Sequence, residues 1–212
     1  MRKKIWYSMI VCACIMMLTC TACDLFKKNN DAKQSLNVTE LVKADKDQMN
    51  KQVKVEYKWF ETQVVMKDYL DTDTCDGKVV EVTNVFECAI PDTTSIDSTH
   101  VSYDVKVYLF NHTLTGDNMV EVSDLWLGDN PIEDVKLSFE DAYKAVMAAN
   151  YPKPHTRKCT LRKEVGPKAA NPQYIFGNRT AQLYVDAVDG TVRDTNPVYE
   201  GSKAQRPLGE WP

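Results

Sequence analysis

Apolar and polar residues alternate strictly over Val53-Lys54-Val55-Glu56-Tyr57-Lys58-Trp59, which predicts a strand that starts there and runs on to Met66. Alternation returns over Val79–Ile90, with Val80, Val82, Phe86, Cys88 and Ile90 on one side. It appears again over His100–Phe110 and Met119–Leu127. Asp71–Gly77 reads as a turn, Pro91–Ser98 as a polar loop and Thr115-Gly116-Asp117-Asn118 as a second turn. Ahead of these strands Asn37–Gln52 is weakly helical and highly polar, with Thr39 as the expected cap. Gly128-Asp129-Asn130-Pro131 ends the strand-rich run.

The period then changes to 3.6. Ser138-Phe139-Glu140-Asp141 is a capping sequence, in which a hydroxyl and a carboxylate satisfy free helix N–H groups. Phe139, Ala142, Tyr143, Val146 and Ala149 share one helix face, and Pro152 and Pro154 stop the helix by Tyr151. Strands are expected at Thr156–Val165, Gln173–Phe176, Ala181–Val188 and Thr191–Asp194. Gly177-Asn178 and Asp189-Gly190 supply hairpin turns.

Each half thus reads as a helix followed by four strands. The fold class is α+β, a helix packed on an antiparallel sheet, written either as two degenerate α-β-β-β-β repeats joined near Pro131–Leu137 or as a single domain with one helix. Parallel βαβ units are disfavoured because only one helix is strongly signalled. The expected organisation is a leader at 1–22, a tether at 23–36, a strand-rich half at 37–134, a second half at 135–195 and an extended tail at 196–212.

The leader changes the picture most. Arg2-Lys3-Lys4 is a basic head, Ile5–Leu18 is nearly unbroken apolar sequence, and Cys20-Thr21-Ala22-Cys23-Asp24 closes it. This is the layout of a secretory signal peptide, and the cysteine after small residues resembles a bacterial lipobox. The resemblance implies acylation of Cys23, with Cys20 as the alternative start. A transmembrane helix over Ile5–Ala22 or a plainly cleaved signal are the competing readings; Tyr7, Ser8, Thr19 and Thr21 weigh against the first. Two or more acyl chains, palmitate among them, hold a protein stably on a membrane. The expected address is the cell envelope, in the first place the outer membrane, at its periplasmic face or surface.

Without residues 1–22, which carry three bases and no acid, the net charge moves from −4 to −7. From Asp68 to Asp134 there are 15 acids against Lys78 and Lys106. From Tyr151 to Arg179 there are seven bases against Glu164 alone. Lys153, His155, Arg157, Lys158, Arg162, Lys163, Lys168 and Arg179 therefore form a candidate partner-binding segment for an acidic protein surface. The competing expectation is that these bases pair with the acidic half of the same molecule. Alternation places Lys158 and Arg162 on the face opposite Cys159 and Leu161, with Val165 on the latter face. Nucleic acid is an improbable partner for an exported acidic chain.

Outside the leader and the lipid site only Cys75, Cys88 and Cys159 remain. An oxidising compartment makes Cys75–Cys88 a candidate disulfide, against the alternative of three buried thiols. No HExxH, Gly-x-Ser-x-Gly or phosphate-binding glycine loop is present, and His100, His112 and His155 lack ligand-spaced partners. His155 with Cys159 is too thin for a cysteine nucleophile. Asp71-Thr72-Asp73-Thr74-Cys75-Asp76-Gly77 imitates a calcium loop, but its glycine is one place late and Val82 stands where a bidentate Glu belongs. No catalytic residue, metal or cofactor is assigned.

Leu137–Asp194 resembles a PepSY domain. The resemblance rests on Ser138-Phe139-Glu140-Asp141-Ala142, on Pro152, on Gln173-Tyr174, and most of all on Tyr184-Val185-Asp186-Ala187-Val188-Asp189-Gly190-Thr191-Val192. It covers less than a third of the chain. It implies a helix on an antiparallel sheet and, as in the similar tandem modules of β-lactamase inhibitory proteins, action by binding enzymes. The expectation is a non-enzymatic, lipid-anchored binding module that contacts or restrains an envelope enzyme such as a peptidase. The alternative is an accessory subunit that holds glycan or peptide on aromatic anchors such as Trp59, Trp126 and Tyr151.

Overall fold

The structure is a computed structural model, and residues 35–53, 55–91, 103–116, 119–123, 129–178 and 180–200 are described. The lipidation candidate Cys23, the alternative Cys20, His100, Trp126 and Arg179 lie outside them. The class is α+β. Helix α1 (Val38–Gln52) precedes strands β1 (Tyr57–Met66), β2 (Val79–Pro91), β3 (Tyr103–Thr113) and β4 (Met119–Ser123). Helix α2 (Phe139–Ala148) precedes β5 (Lys158–Arg162), β6 (Gln173–Gly177), β7 (Gln182–Asp186) and β8 (Val192–Arg193). All eight strands form one antiparallel sheet in the order β4-β3-β2-β1-β5-β6-β7-β8. The two four-strand meanders meet at the β1–β5 pair, where Glu61 faces Arg162 and Val64 faces Cys159.

α1 forms because Val38, Val42, Asp45 and Met49 recur on one stripe, which is buried. Its cap is Asn37, whose Oδ1 accepts from Glu40 N at 3.1 Å, and not Thr39, which lies inside the first turn. The helix occupies the chain to Gln52, so β1 begins at Tyr57 rather than Val53. α2 is capped as expected. Ser138 Oγ accepts from Asp141 N at 3.1 Å and donates to Asp141 Oδ2 at 2.8 Å. Phe139, Ala142 and Val146 make its buried face. Both helices share one apolar cluster with Val64, Val82, Phe86, Phe110, Leu161, Tyr174 and Phe176.

Two bulges alter the parity that alternation predicts. The register passes from Trp59↔Phe86 to Glu61↔Val85, and from Val65↔Glu81 to Met66↔Val79. Phe60 and Val80 are the extra residues. Val79, and not Val80, therefore joins Val82, Phe86 and Cys88 in the core. β5 stops at Arg162, and Val165 beyond it is exposed rather than on the core face of Cys159 and Leu161. Cys75 and Cys88 are free thiols. Cys75 lies before the Val79 end of β2, whereas Cys88 pairs with Tyr57 nine residues along it, about 30 Å away at strand rise, far beyond disulfide reach.

The margins of the folded body also differ from expectation. Leu36, placed in the tether, is buried and its N–H donates to Val79 O at 2.9 Å. The start of the expected tail packs as a turn. Val198 is buried, Lys168 N donates to Val198 O at 3.2 Å, and Tyr199 Oη donates to Val165 O at 3.0 Å. Gly166 makes room for it: a Cβ there would stand 2.0 Å from Val198 Cγ1.

Candidate functional site

Under α1 the N-terminal half buries a chain of polar groups. Trp59 Nε1 donates to Thr62 Oγ1 at 3.1 Å, and Thr62 Oγ1 donates to Asn84 Oδ1 at 2.6 Å. Asn84 Nδ2 donates to Asp45 Oδ2 at 2.6 Å, and His112 Nε2 lies 2.9 Å from the same oxygen. Asp45, Thr62, Asn84 and His112 are all buried. One carboxylate thus ties α1 to β2 and β3 and, through Asn84, to β1. Sequence reasoning missed this network, although an acid on the apolar stripe of α1 was its visible signal. The Asp45–His112 pair resembles half of a catalytic arrangement, but it is sealed beneath the helix and acts as a cross-tie.

Beside this network lies a groove of about 520 Å³. α1 forms one wall with Val38, Val42, Lys43 and Lys46, and the strap from Ile132 to Ser138 forms the other. Trp59, Leu161 and Tyr174 make its floor. The strap is held by Ile132 N donating to Trp59 O at 2.7 Å, and by Lys136 and Leu137 N donating to Ala187 O at 2.9 Å each. Between these anchors Asp134 adopts φ +57°, among the described residues the single non-glycine in the left-handed region. Strain of this kind persists only where the surroundings impose it. The wall and floor are mostly apolar, the rim is charged, and the place is where the two halves meet. Such pockets are the usual location of ligand and partner sites.

Lys46 is the unusual group of this groove. Its Nζ sits 4.3 Å above the Trp59 ring. Burial pushes its ammonium below the ordinary lysine range. No carboxylate among the described residues forms an ion pair with it.

The basic segment does not form one patch. Lys153 Nζ donates to Ala149 O at 2.7 Å and Tyr151 O at 2.8 Å, closing the end of α2. His155 stacks on Tyr69, centroids 4.0 Å apart, with its Nδ1 3.0 Å from Asp71. Arg157 Nε donates to Met66 O at 2.8 Å. Arg162 lies among Glu164, Asp129 and Glu61, with its Nε 3.8 Å from Asp129 Oδ2. His155 and Arg162 therefore reach acids of the N-terminal half, Asp71 and Asp129, while Arg162 pairs more closely with Glu164 of its own half. Lys158 is exposed on the sheet face opposite Cys159. Lys163 and Lys168 line a second cavity of about 540 Å³ with Arg193, Asp186 and Glu200.

Desolvation raises the Glu61 and Asp129 carboxyls above the usual range. Cys159 is buried at Val64 and Phe176, and burial pushes its thiol well up. It is an inert core residue, remote in character from the exposed His155. In the Asp71–Gly77 loop, Asp71 faces His155 and Asp76 Oδ2 holds Lys78 Nζ at 2.8 Å, so the carboxylates point to separate partners. Among the described residues no cluster of His, Cys, Asp or Glu is arranged to hold a metal, and no helix is long and apolar enough to cross a membrane. Of the aromatic anchors, Trp59 is buried at the groove floor and Tyr151 is half-buried beyond α2.

No family model, curated protein or solved structure matches this chain.

Proposed function

We propose that this chain is a lipid-anchored binding module of the bacterial cell envelope that works by contacting a protein partner, with restraint of an envelope enzyme such as a peptidase as its work. The observation that carries the reading is the groove between α1 and the Ile132–Ser138 strap, an apolar trough with a charged rim over the centre of the sheet. Its apolar floor lies on the sheet, and the charged rim beside it supports a binding role. The leader, with acylation at Cys23, supports the envelope address. In this reading the two α-β-β-β-β halves are a degenerate tandem duplication, and Leu137–Asp194 is its PepSY-like copy. The mirrored strand order about β1–β5 supports that view.

A second reading, a subunit holding glycan or peptide for an envelope complex, draws on Trp59 and Tyr174 in the groove floor. Capture from detergent-solubilised envelope separates the two. The first expects an enzyme that co-purifies with the wild type and is lost with Thr39→Trp, which fills the groove from its exposed rim. The second expects a transport or glycan-handling complex. Catalytic turnover by the purified protein alone would overturn both. Metabolic labelling with a palmitate analogue tests the anchor: label on the wild type and none on Cys23→Ala is expected, whereas an unlabelled chain that keeps Met1 removes the envelope premise.

A further inference from the structure

Resting on the groove as the partner site, we propose that it recognises a peptide segment whose apolar side chains lie beside a carboxylate, with Lys46 as the counter-ion. Three observations converge. The floor of Trp59, Leu161 and Tyr174 with Val38 and Val42 offers an apolar, partly aromatic seat. Its volume, about 520 Å³, accommodates two or three residues. Lys46 places a cation at this seat, 4.3 Å over the Trp59 ring. The indole face attracts it but supplies no counter-charge.

Among the described residues, none of the acids near Lys46 forms an ion pair with it. Asp45 is committed to Asn84 and His112, and Glu133 and Asp134 stand exposed on the opposite wall without forming an ion pair with it. A partly buried ammonium that has no carboxylate partner among the described residues is a standing electrostatic deficit. A ligand carboxylate entering the groove removes it, and in a partly dry site a charge-assisted hydrogen bond is about twice as strong as a neutral one. The strap adds directional groups. Among the described residues its Glu133, Asp134 and Val135 N–H groups have no backbone acceptor, so an extended segment can hydrogen-bond along it. Lys43 on the α1 rim extends the positive side. The carboxylate has two sources, a chain terminus or an Asp or Glu side chain.

The test is fluorescence anisotropy of dye-labelled peptides with the full chain in lipid nanodiscs. Three peptides ending in Ala-Leu-Phe are compared: the free acid, the C-terminal amide, and the amide with a glutamate placed ahead of the apolar residues. At least one acidic form is expected to bind about tenfold tighter than the plain amide. Which one does so identifies the source. Lys46→Met, which keeps the aliphatic stem, is expected to bring acid and amide within twofold, while Lys46→Arg retains the preference. Thermal melting checks that these variants stay folded. Equal binding of all three peptides, no binding of any, or a preference that survives Lys46→Met overturns the assignment. Should partner capture still depend on Thr39→Trp while acid and amide bind alike, the groove stays the partner site and only its chemistry falls. Loss of both removes the proposed function as well.

Discussion

The two halves solve one packing problem in different ways. In the C-terminal half the face of α2 buried on the sheet is apolar: Phe139 stacks near Phe176, centroids 6.0 Å apart, with Ala142 and Val146 beside them. In the N-terminal half α1 is less apolar, and Asp45 takes a core position tied to Asn84 and His112. Close packing gives stability without much directional choice. A buried polar network costs desolvation and loses heavily when one member is removed, but it fixes how the helix lies. The groove borders the polar half, where helix placement decides the distance between its walls.

The comparison breaks most visibly at the apolar half. Phe176→Ala is expected to cost about 4 kcal/mol by chemical denaturation, the loss of a fully buried aromatic plus its cavity. Asp45→Ala is expected to cost about 3 kcal/mol, since it takes the acceptor from the buried Asn84 amide and breaks the tie from α1 to His112. A cost no larger than that of exposed Asp47→Ala would mean that the network does not hold the helix.

Gly166→Ala should cost about 2 kcal/mol and release the 196–200 turn, measured as faster hydrogen exchange at Lys168 N. Ser138→Ala should cost about 1 kcal/mol through the lost cap of α2.

The smallest effect is a slope. The Glu61 carboxyl is raised by burial, so the folded chain binds more protons than the unfolded chain just above the ordinary glutamate value of 4.5. Stability therefore falls as pH rises from that value through the folded one. Glu61→Gln should flatten this fall, and an unchanged slope would place the effect on Asp129, raised by the same cause.

Local chemistry was legible in the sequence. The Ser138 cap, the Asp189-Gly190 turn with Gly190 at φ +80°, and the Cys159–Leu161 face of β5 follow from neighbouring residues. The bulges at Phe60 and Val80 were not, because an extra residue leaves no mark on composition yet reverses which side faces the core. The basic segment misled for a related reason. Residues close in sequence were assigned one surface, but Lys153, His155 and Arg157 close contacts before β5, while Arg162, Lys163 and Lys168 lie at or beyond its other end. The groove draws residues from Val38 to Tyr174, and no local pattern announces an assembly made by tertiary pairing.

The most direct test of the groove as a partner site is site-specific photo-crosslinking in intact cells, with the reactive side chain placed at Lys43 on the groove rim or at Lys158 on the opposite face of the sheet. The account predicts a discrete adduct from position 43 that disappears with Thr39→Trp and is competed by the acidic Ala-Leu-Phe peptide, and none from position 158. An adduct from position 158 alone, or one from position 43 that ignores Thr39→Trp, would contradict it.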